Sequence, residues 1–330
     1  MADVQKYFEQ FHSAIRIDYD TSQPLRDKRD IILGRIRKHL KEHDRPSFEE
    51  LLQGSYALKS GVVPIERLEY DIDVGLRFSI QETDYSAKDV RGWVFEAVDG
   101  HTDSVEEMGP CVRVTYADGY HVDLVAYATW TDAAKQEQFR LAHVKKGWRP
   151  ADPPKLRRAV ETAMEPFAGT EDSLTSTNQF RRVVRYLRRW MDEALPEESD
   201  AKPIGLAFVL LAAGHLAPTR TWDGKAWDLK ALQNLATFAG NTPGRIVALK
   251  PSPEYEDVFG KLGEDAMEAL KARSLTLAAD LAKADGEADP VEACRLIKKH
   301  LGRDFPIPTP EETGKKTSAP AIVTSSSSAA

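Results

Sequence analysis

Cysteine is scarce in this chain of 330 residues, which has only Cys111 and Cys294. Two cysteines so far apart provide neither a disulfide framework nor a CxxC metal motif, a pattern typical of proteins in a reducing compartment. The first residues, MADVQKYFEQ, lack the basic and then apolar pattern of a signal peptide. We therefore expect a cytoplasmic protein.

Long apolar runs and an excess of positive charge are also missing. The longest apolar stretch, 204–213, is interrupted by Gly205 and falls short of the ~20 residues that cross a membrane. Lys and Arg total 45 against 52 acidic residues, so the net charge is −7, whereas proteins that coat nucleic acid usually present a broad basic face. We expect no membrane association and no stable nucleic-acid binding, although a local basic cluster can still hold a nucleotide.

Hydrophobic periodicity divides the chain into a mixed first part and a helical second part. In the first 150 residues the predicted helices are 1–16, 24–43 and 87–98, and the predicted strands are 48–53, 69–78, 111–117 and 120–128. The last two strands flank Asp118-Gly119, a strong hairpin signal. Later predicted helices are 153–167, 178–195, 203–216, 227–240, 262–284 and 290–301. The sequence therefore predicts an α+β fold.

Two aspartates share one predicted strand, in the segment EYDIDVGLRF. Asp71 and Asp73 are two residues apart, so their side chains point to the same face of the strand. Carboxylates this close repel one another unless a cation lies between them. Oxygen ligands of this kind favour a hard divalent cation, Mg²⁺ first.

A third aspartate, Asp123, lies inside the apolar strand HVDLVAY. If this strand neighbours the one with Asp71 and Asp73, the three carboxylates form a cluster able to hold two metal ions ~3.5–4 Å apart. Asp123 alone is equally compatible with a helix cap or a buried salt bridge. Gly54-Ser55 precedes the first two aspartates; glycine lets the backbone approach a phosphate, and serine adds a hydroxyl donor. A Gly-Ser pair alone is most often an ordinary loop, so the combination carries the prediction.

The combination of QGSYALKSGVVP, EYDIDVGLRF and CVRVTYADGYHVDLVAYA resembles the DNA polymerase β-like nucleotidyltransferases. Within them it is most similar to the bacterial CD-NTases, the cGAS/DncV-like enzymes of CBASS antiphage defence, nearest to the cyclic GMP-AMP synthase branch. The resemblance covers about residues 20–215. It implies that Asp71, Asp73 and Asp123 bind two Mg²⁺ ions, with Mn²⁺ as a substitute, and that Gln53, Gly54 and Ser55 contact the donor triphosphate.

The resemblance also implies a domain organisation and a product. Residues 1–170 would form the nucleotidyltransferase core, a mixed sheet with N-terminal helices, and residues 171–305 a helical lobe that closes the nucleotide cleft. Residues 306–330, rich in Pro, Ser and Ala, are predicted to be a disordered tail. The product would be a cyclic dinucleotide or related cyclic oligonucleotide made from NTPs such as ATP and GTP, which activates a separate effector. A ubiquitin-transfer-like partner acting on the tail is a further hypothesis.

Three basic residues are additional candidates for nucleotide binding. Lys59 follows the Gly-Ser pair and either reaches a phosphate or is simply exposed. Arg113 is expected near Asp123, where it either balances the acidic cluster or contacts a base or phosphate. Arg188, in NQFRRVVRYLRRW, stands where the family usually has a lysine that reaches the triphosphate, with Arg185 or Arg189 as substitutes for that role. The other arginines of this helix are expected to form a solvated, salt-bridged basic face.

Two alternatives remain open. One is a template-independent nucleotidyltransferase that acts on RNA or protein, of the tRNA type or an AMP-transferring toxin or antitoxin. The other is a non-catalytic nucleotide-binding scaffold, which would be expected to have lost a carboxylate. The identity of the bases, the linkage, the ring size, the activating signal and the oligomeric state do not follow from the sequence.

Overall fold

The computed structural model describes residues 2–17, 23–65, 71–117, 119–196 and 199–309, without the side chains of Pro24, Leu25 and Asp71. The helices are α1 (Gln5–Ile15), α2 (Gln23–Glu42), α3 (Gly54–Leu58), α4 (Ala87–Val98), α5 (Pro153–Met164), α6 (Gln179–Ala194), α7 (Gly205–His215), α8 (Asp228–Asn241), α9 (Glu264–Gly286) and α10 (Pro290–Leu301). The strands are β1 (Phe48–Leu52), β2 (Asp71–Phe78), β3 (Ser104–Glu107), β4 (Val112–Thr115), β5 (His121–Thr131), β6 (Glu137–His143) and β7 (Gly147–Ala151). The predicted α+β class is confirmed.

The strands form one mixed sheet in which β2 and β5 are parallel neighbours. β1 pairs with the outer edge of β2, and β4 and then β3 extend the sheet from the first half of β5. β6 pairs with the second half of β5 and leads to β7. β4 and β5 form the predicted hairpin, with Asp118 outside the described residues. β3, β6 and β7 were not predicted.

Helices α2 and α4 cover one face of the sheet. Strand alternation buries Ile72 and Val74 of β2 and Val122 and Leu124 of β5 in a core shared with α2 and α4. The alternate positions, including Asp73 and Asp123, therefore point to the opposite face, which can be lined by polar groups.

The remaining helices build a second core around α6. Asn178 begins α6 by accepting a hydrogen bond from the backbone N–H of Arg181 at 3.1 Å, an N-cap of the usual kind. The N-terminal helix α1 belongs to this core, since Phe8 and Phe11 pack their rings against Tyr186. None of the described helices is long and apolar enough to span a membrane.

The arginines of α6 are not a solvated face, so that prediction is wrong. Arg182, Arg185 and Arg189 are 0%, 4% and 1% exposed. Arg182 forms a two-pronged ion pair with the buried Asp228, with both N–O distances at 2.7 Å. A helical pattern cannot reveal this partner, which lies 46 residues away.

Candidate active site

Asp73 and Asp123 are directly opposite one another in the parallel pair β2–β5. Opposed residues on adjacent strands share a face and lie about 5 Å apart at the backbone. The predicted adjacency of the two strands is thus present, and it brings two of the three candidate carboxylates together. Asp71 begins β2 in register with His121, and its side chain lies outside the described residues.

Gly54 places the start of α3 against Asp73. The residue has a φ of +63°, and a Cβ atom built on it would lie 1.8 Å from Oδ2 of Asp73. Only glycine tolerates both the left-handed backbone and this contact. The Gly-Ser turn therefore adjoins a candidate metal ligand, as the sequence motif requires.

Gln53 and Tyr127 tie this turn to the sheet. Gln53 is extended, with φ −142° and ψ −174°, and its side-chain carbonyl accepts a hydrogen bond of 2.9 Å from the Tyr127 hydroxyl. Burial raises the pKa of the Tyr127 phenol, and the charges of Asp73 and Glu254 raise it further. Tyr127 therefore stays a hydrogen-bond donor across the physiological pH range.

Ser55 and Lys59 lie at the two ends of the short α3. The Ser55 carbonyl accepts a hydrogen bond from the backbone N–H of Ser60 at 3.0 Å, which closes the segment behind the helix. Lys59 ends the helix in the left-handed region, with φ +50°, and its residue is exposed. Both residues adjoin the turn, and their predicted contacts with phosphate stay predictions.

The backbone that follows α3 is held by arginines from the helical core. Carbonyl groups of residues 59–65 accept hydrogen bonds from Arg185 (Lys59 and Gly61, 2.6 and 3.1 Å), Arg188 (Ser60, 2.6 Å), Arg189 (Val63, 2.6 Å) and Arg303 (Ile65, 3.0 Å). Apart from the isolated bridge Arg16–Val62, this segment belongs to none of the named strands or helices, and the guanidinium groups satisfy most of its carbonyls. The helical core thereby sets the position of the Gly-Ser turn.

Arg188 lies between this segment and the start of α7. A Cβ atom at Gly205 would be 3.0 Å from its guanidinium carbon, so the guanidinium rests directly on the backbone there. Arg188 is near the Gly-Ser segment through its bond to Ser60. Its predicted contact with a triphosphate stays a prediction.

Arg113 forms a two-pronged ion pair with Asp123. The two residues are opposite one another on β4 and β5, and Nε–Oδ1 and Nη2–Oδ2 are 2.8 and 2.7 Å apart. The buried Cys111 thiol lies nearby, and its pKa is raised to about 12 by burial and then by the charge of Asp123. Of the two roles considered for Arg113, the described contacts match that of balancing the acidic cluster.

The chemistry of these donors fits a hard divalent cation. Asp73 and Asp123 present carboxylate oxygens on one face, where like charges side by side are stabilised by a cation. The described side chains do not form a group of three His, Cys, Asp or Glu able to hold a metal; the third candidate, Asp71, is not among them. The fit to Mg²⁺ therefore rests on the two described carboxylates.

Glu254 is a further candidate site residue, which the sequence did not predict. It lies at the tip of a hairpin-like segment closed by the bridge Leu249–Asp257. Its Oε2 atom is buried without a hydrogen-bond partner among the described residues, and its charge acts on Tyr127. The surrounding prolines 251 and 253 signal only a turn, so no local pattern identifies this carboxylate.

Comparisons with known proteins agree with this geometry. Residues 48–127 match the family described as "Cyclic GMP-AMP synthase DncV-like, nucleotidyltransferase domain", a range that holds β1, the Gly-Ser turn and all three aspartates.

Three solved structures have a similar fold. Vibrio cholerae DncV, a cyclic AMP-GMP synthase, matches with a TM-score of 0.71 and 14% identity over 91% of this chain and 97% of that chain. Escherichia coli MS115-1 CdnC with ATP matches with a TM-score of 0.65 and 13% identity over 91% and 98%. Bradyrhizobium diazoefficiens CdnG with GTP matches with a TM-score of 0.67 and 13% identity over 91% and 95%.

Identities this low establish the fold alone, and function depends on the site. The α+β core of these structures and the matched range of residues 48–127 together confirm the resemblance seen in the sequence motifs. Residues 48–127 thus match the DncV-like nucleotidyltransferase family, and the chain shares its fold with the solved CD-NTase structures DncV, CdnC and CdnG.

Proposed function

We propose that this chain is a Mg²⁺-dependent nucleotidyltransferase that joins NTPs into a cyclic dinucleotide of the cyclic GMP-AMP type, or a related cyclic oligonucleotide, for antiphage signalling. The observation that carries this proposal is the register of Asp73 with Asp123 beside the Gly54 turn. Solved structures of similar fold support the substrate class: CdnC contains ATP, CdnG contains GTP, and Vibrio cholerae DncV has been solved with the linear intermediate pppA(3′,5′)pG.

In this proposal Asp71, Asp73 and Asp123 hold the metal ions. When bound, these ions neutralise the triphosphate and stabilise the attacking and leaving oxygens of an in-line displacement. The backbone at Gly54 and the hydroxyl of Ser55 hold the donor phosphates, and the arginines behind residues 59–65 keep that turn in place. Positioning of this kind accounts for a large part of the rate.

The reaction itself is a displacement at phosphorus. The acceptor ribose hydroxyl gives up its proton to Asp123, its oxygen forms a bond to the α-phosphorus of the donor, and the bond to pyrophosphate breaks. The linear product then turns in the cleft, and its free hydroxyl closes the ring by the same displacement, with release of a second pyrophosphate. Asp73, directly opposite Asp123, presents its carboxylate on the same face of the sheet.

The test is incubation of the protein with Mg²⁺ and four labelled NTPs, followed by phosphatase treatment. We expect a phosphatase-resistant product in the wild type and its loss in Asp73→Asn and Asp123→Asn. Asp103→Asn, an exposed acid, is the matched control and should retain activity. Equal product from all four proteins would refute the role of the carboxylates. A labelled polymer or a labelled protein would instead favour the RNA- or protein-modifying alternative.

Mass spectrometry of the product, with nuclease P1 digestion, identifies the bases and the linkage. The effector then follows from proteins that the purified product activates.

A second proposal concerns the C-terminal tail. Residues 310–330 lie outside the described residues, and conjugation of this end by a ubiquitin-transfer-like partner stays a hypothesis. Equal conjugation of a chain lacking residues 306–330 would refute it.

A further inference from the structure

Arg113 occupies both carboxylate oxygens of Asp123. The guanidinium donates from Nε to Oδ1 at 2.8 Å and from Nη2 to Oδ2 at 2.7 Å. The strand register fixes the pair, because Arg113 and Asp123 are opposite one another on β4 and β5. Fork-like pairs of this kind combine charge with matched geometry and are among the strongest side-chain hydrogen bonds.

The same strand register places Asp73 on the other side of Asp123. Three residues on adjacent strands thus form a row of charges, negative at Asp73, negative at Asp123 and positive at Arg113. The Asp123 side chain is 12% exposed and that of Arg113 is 31% exposed, so water screens this row only in part. The guanidinium offsets the repulsion between the two carboxylates.

A metal ion at Asp123 needs an oxygen that the guanidinium now holds. A divalent cation and a guanidinium on one carboxylate repel each other, so the two compete for it. A nucleoside triphosphate changes this balance, since it brings negative charge that can accept the displaced guanidinium as well as bind the metal. Metal binding to this chain is therefore expected to depend on the presence of nucleotide.

We propose that Arg113 is a positioning residue that holds Asp123 as an internal counter-cation, disfavours metal binding without nucleotide, and so couples the binding of metal and NTP. The inference rests on the proposed function, because it assumes that Asp123 is a metal ligand. Coupling between two ligands is reciprocal: a nucleotide that strengthens metal binding is itself bound more tightly when metal is present.

The experiment measures Mn²⁺ binding by the loss of the free-ion electron paramagnetic resonance signal, with and without α,β-methylene GTP, after subtraction of the Mn²⁺ that the nucleotide binds in the absence of protein. We expect Arg113→Met to bind Mn²⁺ without nucleotide about tenfold more tightly than the wild type, the effect of losing one charge-assisted pair. Addition of α,β-methylene GTP should raise the Mn²⁺ affinity of the wild type by a larger factor than that of Arg113→Met. Circular dichroism verifies the fold.

Two further variants make the result specific. Arg113→Lys keeps the charge but replaces a two-pronged contact by a single one, so an intermediate Mn²⁺ affinity is expected, and it takes over the test if Arg113→Met does not fold. Arg140→Met removes an arginine of β6 that pairs with Glu82, away from the aspartates, and should match the wild type.

The outcomes separate this inference from the proposed function. The role of Arg113 alone is overturned if both Arg113 variants bind Mn²⁺ as the wild type does or more weakly, while Asp73→Asn abolishes the binding seen in the wild type. Two results would overturn the metal site and this inference together. One is a wild-type protein that binds no Mn²⁺ either with or without nucleotide. The other is Mn²⁺ binding that Asp73→Asn and Asp123→Asn leave unchanged.

Discussion

Replacement of Gly54 by alanine tests whether the site requires this glycine for its contact with Asp73 or only for its left-handed backbone. The new methyl group would lie 1.8 Å from Oδ2 and 2.5 Å from Cγ of Asp73, whereas ordinary contacts begin at 3.4 Å. The turn and the carboxylate must therefore move apart by about 1.5 Å, and misplacements of ~1 Å can lower rates ~100-fold. The left-handed φ of +63° adds a strain of about 1–2 kcal/mol.

Gly100 provides the matched control for this variant. Its φ is +67° and nothing lies within 4 Å of a Cβ placed there, so Gly100→Ala has the same strain without the clash. Pyrophosphate release from NTPs and thermal unfolding are measured for both. We expect Gly54→Ala to lose at least about 100-fold in kcat/KM, while Gly100→Ala keeps wild-type activity with a comparable loss of stability. Similar activity in both variants would refute the idea that Gly54 is required by its contact with Asp73.

Three further predictions concern buried charges and protons. Asp228→Asn removes the two-pronged counter-charge of the buried Arg182 and leaves only the more distant Asp172, at 3.8 Å. A loss of about 3–5 kcal/mol is expected in urea unfolding, and a loss below about 1 kcal/mol would contradict this role. Burial, and then the charges of Arg185 and Arg182, lower the pKa of His12 from 6.5 to about 2. The unfolded chain therefore binds a proton that the native chain does not, and stability should fall by about 2 kcal/mol between pH 7 and pH 5. In His12→Gln this pH dependence should be weaker, and an unchanged slope would exclude His12 as its source. Because the pKa of Cys111 is raised to about 12, Ellman's reagent at pH 8 should modify it only after unfolding in guanidinium; rapid modification of the native protein would argue against its burial.

The sequence predicted the regular elements well where periodicity and caps are local. Helix α6, predicted over 178–195, spans Gln179–Ala194 and starts at the cap residue Asn178. The short strands β3 and β7 and the mixed strand β6 were missed, because their polar residues give no clear alternation and their pairing partners are supplied by the sheet.

The candidate site likewise has features that the sequence predicted and features that it did not. The spacing of Asp71, Asp73 and Asp123 and the Gly54-Ser55 pair indicated the chemistry from the sequence, and the matched family agrees with that indication. The register that places Asp73 beside Asp123 does not follow from the sequence, because it depends on which strands become neighbours in the sheet.

Other features were decided by the tertiary structure. The burial of the α6 arginines depends on carbonyl groups more than 120 residues earlier in the chain. The pairing of Arg113 with Asp123 follows from strand order. Within the described ranges, the buried Oε2 atom of Glu254 has no hydrogen-bond partner because of where its segment folds back. A residue's propensity and spacing act over a few neighbours and can be seen in the sequence. The partner of a buried charge is instead determined by how distant segments pack, because the free energy of that charge depends on what surrounds it in space.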